Sequence, residues 1–362
     1  MGMRRALGFL ILVILATNAR AEEVLNVYNW SDYLADQTIP RFEAETGIKV
    51  QYDVYDSNDT LQAKLLAGNT GYDIVVPSSH FLSMQIKAGV FRKLDKSKIP
   101  NLKNLDPVLM KLVAGADPGN EYGVPWAWVT IGIGYNEAKV KAALGPNAPL
   151  DGWDLIFDPA VISKLTPCGV SILDSPTDVL PALLHQMGRD PASQKPADYD
   201  AAFEVLRRIR PFITKFSSSG YINDLTGGDL CLVLGYSSDV DIARRRAVEA
   251  GRKDEIRYII PRGGAPIGFD IMAIPKDAPH PDLAMRWIDY IETPEVNAEI
   301  TDKVFAPSAN EAARRFVKPD VANDPTVYPP ASVIDTLFLL QPLSPDIRRL
   351  ETRLWTQMKT GH

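Results

Sequence analysis

From Val24 onward the sequence alternates short apolar strands with amphipathic helices, and that order narrows the fold more than any other feature. Val24 to Tyr28 (VLNVY) reads as a strand, and Asp36 to Glu45 as a helix with Pro40 in its early turn and Gly47 at its stop. Ile48 to Val54 places Ile48, Val50, Tyr52 and Val54 at alternate positions, a strand with one buried face. Asn58 or Asp59 is expected to cap a helix through Leu61, Leu65 and Leu66 that ends at Gly68. Tyr72 to Val76 (YDIVV) is nearly continuous in apolar residues, as a parallel strand covered on both faces requires. Pro77-Ser78-Ser79 breaks it, and helix resumes over Phe81 to Ala88. Such β-α-β-α order predicts an α/β protein with a mostly parallel, helix-covered sheet, whose ligands sit at the carboxyl ends of strands.

A second set of elements follows. Gly132 to Tyr135 ends a strand, Asn136 to Leu144 opens a helix, and Val170 to Leu173 is another strand end. Leu180, Leu183 and Leu184 mark a helix, Asp200 to Arg208 is amphipathic, and Leu230 to Leu234 (LCLVL) is a buried strand. Tyr258 to Ile260 and Phe269 to Ile274 read as strands, and Asp282 to Ile291 as a helix with Leu283, Trp287 and Ile291 on one stripe. At 362 residues, against about 150 per domain, the chain has length for two lobes. No repeat, low-complexity tract or flexible linker separates them, so two α/β lobes joined by strands that cross between them fit better than two independent beads.

The first residues carry an address. Arg4 and Arg5 precede an apolar run from Ala6 to Ala16, and Ala19-Arg20-Ala21 is a small-x-small cleavage pattern. This is a secretory signal peptide over residues 1–21. The alternative, a membrane anchor, is too short: such a core spans about 16 Å as a helix against roughly 30 Å of hydrocarbon. The whole chain has 39 basic and 45 acidic side chains, a net −6. Removing residues 1–21 takes three arginines and no acid, so the mature balance is 36 against 45, a net −9. No basic face suits a nucleic acid, which is therefore not an expected partner. His80, His185, His280 and His362 are scattered and the two cysteines are far apart, so no metal site is expected.

In an oxidising compartment the even pair Cys168 and Cys231 favours a disulfide over two buried thiols, though spacing alone leaves both open.

Polar and aromatic side chains concentrate in five strand-end segments. These are Asn29-Trp30-Ser31-Asp32-Tyr33, Pro77-Ser78-Ser79-His80-Phe81, Asp174-Ser175-Pro176-Thr177-Asp178, Tyr236-Ser237-Ser238-Asp239 and Gly268-Phe269-Asp270. Each has a bland counterpart: an aromatic turn capping a core, or a serine or aspartate capping a helix. Asp270, interrupting an apolar strand, needs a cationic partner or a hydrogen-bonding network. Together the segments put acids and aromatics, without arginines, where an α/β cleft lies. That suits a cationic organic ligand, its charged ends held by carboxylates and its methylenes covered by aromatic faces. A sugar site calls for more Asn, Gln and Arg, and an anion site for Arg or free helix N-termini. Catalytic motifs are absent: Gly132-Ile133-Gly134 lacks the third glycine of a dinucleotide loop, and there is no phosphate loop or G-x-S-x-G elbow. Ser217-Ser218-Ser219 has no histidine partner in view.

The run LNVYNWSDYLADQTIPRFEAETGIKVQYDVYDS (25–57) resembles the start of the periplasmic polyamine-binding proteins of ABC transporters, the putrescine-binding branch in particular. The likeness continues through AGNTGYDIVVPSSHFL (67–82), FRKLDKSKIPNLKNLDP (91–107), GIGYN (132–136), ILDSP (172–176), YINDLTGGDLCLVLGYSSDV (221–240) and VYPPASV (327–333). It implies a two-lobed Venus-flytrap receptor, each lobe a mostly parallel sheet covered by helices, joined by crossing hinge strands. Lobe 1 is expected at 22–129 plus about 256–308, and lobe 2 at 130–255 plus about 309–362. The resemblance implies a monomer that closes on a small-molecule polyamine in the periplasm and hands it to an inner-membrane ABC permease. It implies no cofactor and no catalytic residue.

Ligand contacts carried over from the family fall on Trp30, Ser31, Asp32, Tyr33, Ser78, Asp178, Tyr236, Asp239 and Asp270, with Ser218 and His80 as weaker candidates. Trp30 is expected along the alkyl chain with Tyr236 opposite, and Asp270 and Asp239 on the ammonium groups. Cys168 and Cys231 match the paired cysteines of that branch. Tyr236 stands where the family usually has Trp, Gly268 where it has Phe or Trp, Ala306 where it has Tyr, and Asp178 where it has Glu. These departures imply a wider pocket, so spermidine, agmatine or another bulkier cationic amine stands as the alternative to putrescine. More distant alternatives are a receptor for an opine or amino-acid derivative, and a secreted hydrolase.

Overall fold

A computed structural model describes residues 23–360 except 56 and 254. The expected signal peptide, residues 1–21, lies outside the described residues.

Strand β1 (Val24–Trp30) is flanked in parallel by β2 (Lys49–Tyr55) and β3 (Ile74–Val75). The period-two alternation sends Leu25 and Val27 to one face, against Phe42 and Trp287, and Tyr28 to the other, against Tyr55 and Leu61. Helix α1 (Thr38–Thr46) links β1 to β2 and stops at Gly47, which takes a left-handed φ of 72° and returns its N–H to Glu43. Helix α2 (Asn58–Ala67) links β2 to β3, and its cap is Ser57, whose side chain accepts from the Thr60 N–H, rather than Asn58 or Asp59. After β3, α3 (Ser79–Lys87) packs over the sheet.

Strand β4 (Gly123–Asn136) is the long crossing element. Residues 123–130 pair antiparallel with β9, and 131–135 pair antiparallel with β7, while 133–136 also meet β8. Beyond it lie β5 (Val170–Ile172), α4 (Pro176–Gln186), β6 (Lys215–Phe216), α5 (Tyr221–Gly227), β7 (Leu232–Tyr236), α6 (Ser237–Glu249) and β8 (Ile256–Ile259). The chain returns through β9 (Pro266–Ala273), α7 (Pro294–Val304) and β10 (Phe338–Leu339), and ends its described part in α8 (Pro345–Thr360). The strand order β2-β1-β3-β9-β4-β7-β5-β6 runs continuously from one lobe to the other through β4.

Two bodies of core result. One spans both faces of the β2-β1-β3-β9 sheet, and the other surrounds β7 and β5. Core membership changes between Val129 and Ile131, between Ala265 and Ile267, and near Leu339 and Leu340. Two stretches therefore depart from the expected boundaries. Residues 256–265 go with lobe 2, because Ile256 and Tyr258 pair with the far half of β4 and join its core. Residues 309–339 go largely with lobe 1, because Ala313, Val317, Val321 and Val327 pack with Ala298 of α7, and β10 pairs with β9. Helix α8 returns to lobe 2, burying Ile347, Leu354, Trp355 and Met358. Cys168 and Cys231 form a disulfide with Cα atoms 5.4 Å apart, tying the approaches to the parallel neighbours β5 and β7. Among the described residues no helix is long and apolar enough to cross a membrane.

Candidate functional site

A cavity of about 340 Å³ lies between the lobes, where the strands cross. Its floor is built from Val129 and Ile131 of β4, Gly268 of β9 and Leu340. All nine residues expected from the sequence line it, as do the weaker candidates His80 and Ser218.

Lobe 1 contributes through the ends of its strands. Trp30 closes β1, its indole N–H donating to the Val76 carbonyl at 2.9 Å and its ring 4.6 Å from that of Tyr55. Tyr55 sits opposite Trp30 in the β1–β2 register and also lines the cavity. Ser31 and Asp32 are exposed at the rim, Asp32 in the left-handed region at φ 54°. Asp270 projects from β9 between two hydroxyls: Tyr33 donates to it at 2.8 Å and Ser78 at 2.8 Å. Ser78 precedes α3 without capping it, so its hydroxyl serves the carboxylate rather than the helix.

Lobe 2 contributes two carboxylates from first helical turns. Asp178 of α4 accepts from the Tyr236 hydroxyl at 2.7 Å. Asp239 of α6 accepts from the Tyr221 hydroxyl at 2.8 Å, and that same hydroxyl accepts the Tyr236 backbone N–H at 2.9 Å. Tyr221 and Tyr55 were not visible as site residues in the sequence, since long-range pairing alone brings them here.

Burial dominates the electrostatics. It pushes Asp239 up to about 7 against the hydroxyl bonds that lower it, and Asp32 raises it further while Arg246 pulls it down. Burial likewise pushes Asp270 up to about 6, opposed by Ser78 and Tyr33 and reinforced by Asp178. Asp178 is raised by burial as well. Tyr236 feels all three carboxylates, which places them around one space. Among the described residues no lysine or arginine forms an ion pair with Asp178, Asp239 or Asp270. Arg246 lines the cavity and acts on Asp239 only through the field.

Such a site receives positive charge. Neutral hydroxyls satisfy part of each carboxylate's hydrogen-bonding capacity, and a buried anion without a cation is costly. An ammonium group supplies what is missing, while an anion meets three like charges. Among the described residues no group of three or more His, Cys, Asp and Glu side chains is placed to hold a metal ion. His80 keeps both ring nitrogens without a partner and burial lowers it to about 3, so it adds no charge to the site.

The expected widening divides in two. Gly268 does open space: a Cβ there meets nothing within 4 Å. Ala306 does not, since it is buried in the lobe 1 core at 1% exposure and is not part of the cavity wall.

Comparison with known proteins agrees with this geometry. The family model for bacterial extracellular solute-binding proteins matches residues 37–329. The putrescine-binding periplasmic protein SpuD of Pseudomonas aeruginosa is 52% identical over 343 residues, covering 95% of this chain and 94% of its own. The putrescine-binding periplasmic protein PotF of Escherichia coli is 49% identical over 355 residues, covering 98% and 96%. Among solved structures, the TpPotD lipoprotein of Treponema pallidum superposes with a TM-score of 0.80 at 26% identity, covering 93% of this chain and 100% of that one. With two lobes, a cleft between them and relatives of this similarity over nearly its whole length, the chain belongs to the bacterial extracellular solute-binding proteins, which bind and do not transform their ligands.

Proposed function

We propose that this chain is a periplasmic polyamine receptor, with putrescine its first ligand, that acts as a monomer and delivers its cargo to an inner-membrane ABC permease. The observation that carries the reading is the trio Asp178, Asp239 and Asp270, gathered around one cavity, each bonded to a tyrosine hydroxyl and none paired with the protein's own cations. Asp270 is offered by lobe 1 and the other two by lobe 2, so a ligand charged at both ends bridges the lobes. Trp30 and Tyr236, one from each lobe, offer aromatic faces to its methylenes. The names of the relatives point to the same ligand. A nucleic acid is not part of this reading.

A second reading has its own support. Gly268 is the one described glycine that combines an ordinary φ with open space beyond its missing Cβ, and it faces the cavity two residues from Asp270. That room favours a longer or bulkier amine such as spermidine or agmatine. Calorimetric titration with putrescine, cadaverine, spermidine, agmatine and lysine decides. The reading expects tight binding of at least one polyamine and none of lysine. Binding of no polyamine would refute it.

A further inference from the structure

Beside the ligand cavity the two lobes touch through a second, charged contact. Helix α6 starts at the crossing strands, where Tyr236 pairs with Ile131 and the Thr130 N–H donates to Ser237. It then runs outward past the cavity, with Asp239, Ile242 and Arg246 on the lining face. About 12 Å along it, at the helical rise, come Arg244 and Arg245, and both reach into lobe 1.

Arg244 pairs with Asp241 on its own helix at 2.8 Å and with Asp324 of the 309–339 stretch. The Thr326 hydroxyl lies 2.7 Å from both carboxylates. Asp241 is fully buried and Asp324 nearly so. Arg245 pairs with Asp320 at 2.7 Å and lies 4.2 Å over the ring of Phe305. Phe305 ends α7 in the left-handed conformation at φ 53°, a strained setting for a bulky residue that holds its ring under the guanidinium. Phe305 caps α7 in lobe 1, and Asp320, Asp324 and Thr326 belong to the stretch packed on that helix.

We propose that this clasp is a closure latch: Arg244 and Arg245 bias the empty receptor toward its closed shape and slow the release of bound ligand. The idea rests on the binding reading above but not on which amine is bound. The contacts bridge the lobes some way along α6 from the crossing strands, so an opening that parts α6 from the 309–339 stretch breaks them, and their free energy then counts toward the closed state. They are positioning residues, since they hold the helix that carries Asp239 against the opposite lobe and do not touch the cavity.

Arg245 and Asp320 form the half-exposed limb and can be changed without uncovering buried Asp241. The experiment compares Arg245→Gln, Asp320→Asn, their combination and Arg245→Lys with the unaltered protein. Release of putrescine is followed by stopped flow, and interlobe distances in the ligand-free protein by paired spin labels. Each single variant is expected to speed release about three- to fivefold, as an exposed pair with a ring contact allows. The combination is expected to be no faster than the faster single variant, and Arg245→Lys to stay near the unaltered rate. Ligand-free protein is expected to populate open and closed distances, with the closed fraction falling in the variants. Unchanged release, losses that multiply in the combination, or a closed fraction that does not fall would overturn the latch. Should no amine bind, the binding reading fails on its own, while the ligand-free distances still decide the latch.

Discussion

Asp270 sits in a strand that is otherwise apolar, held by two neutral donors and by no cation. An ammonium placed there completes a buried ion pair, and removing one partner of such a pair costs about 3–5 kcal/mol. Asp270→Asn is therefore expected to weaken diamine binding by that order, measured calorimetrically, and an unchanged affinity would take Asp270 out of the site. Asp239 near 7 and Asp270 near 6 stand above their ordinary 3.8, so the empty protein disfavours their charged forms. The stability they lend the empty receptor is present below about pH 4 and lost as the pH rises through 6 to 7. A cationic ligand needs them ionised, so its affinity is expected to fall from pH 8 to pH 5, with protons released on binding near pH 6. Titrations in two buffers of different ionisation enthalpy measure that release, and a pH-independent affinity would contradict the burial of these acids. Gly268→Phe fills open space and is expected to shift preference from spermidine toward putrescine; an unchanged ratio of the two affinities would make that space irrelevant.

At the scale of elements, what could be read in advance had local periodicity. β1 to α3 are legible because alternation, capping residues and Gly47 are all close in sequence. β4 is not, beyond its last residues, because a strand buried along almost all its length shows no alternation. Gly132 and Gly134, which resemble the start of a nucleotide loop, instead let β8 and α6 approach: a Cβ on Gly132 would lie 2.4 Å from the Ile259 carbonyl, and one on Gly134 2.5 Å from Val240. Helix α8 is legible in principle, since Ile347, Leu350, Leu354, Trp355 and Met358 recur at helical spacing on an otherwise charged surface. All nine expected residues fall within the five strand-end segments that the residue pattern singles out, and the family resemblance narrows those segments to the nine. Tyr221 stayed hidden because its contacts to Asp239 and Tyr236 are made by the fold. The disulfide ties β5 to β7 through a sequence separation of 63. Replacing Cys168 and Cys231 by serine is expected to lower the unfolding free energy by about 2–4 kcal/mol in a denaturant titration. A loss near zero would mean the parallel pairing of β5 and β7 holds without it.

The molecule as a whole is two cores joined at three crossings, with Asp178, Asp239 and Asp270 gathered between them and none of the three ion-paired. A cleft of that kind closes when a guest makes contacts on both sides that the open form cannot make, and the guest's differential affinity sets how far the equilibrium moves. Charge is what this cleft reads, because the hydroxyl donors already in place would serve a neutral guest no better than water does. Putrescine and butane-1,4-diol have the same chain length and differ in their ends, so titrating the protein with each isolates that claim. The account expects putrescine to bind and the diol to give no heat at millimolar concentration. Comparable binding of the two would contradict it.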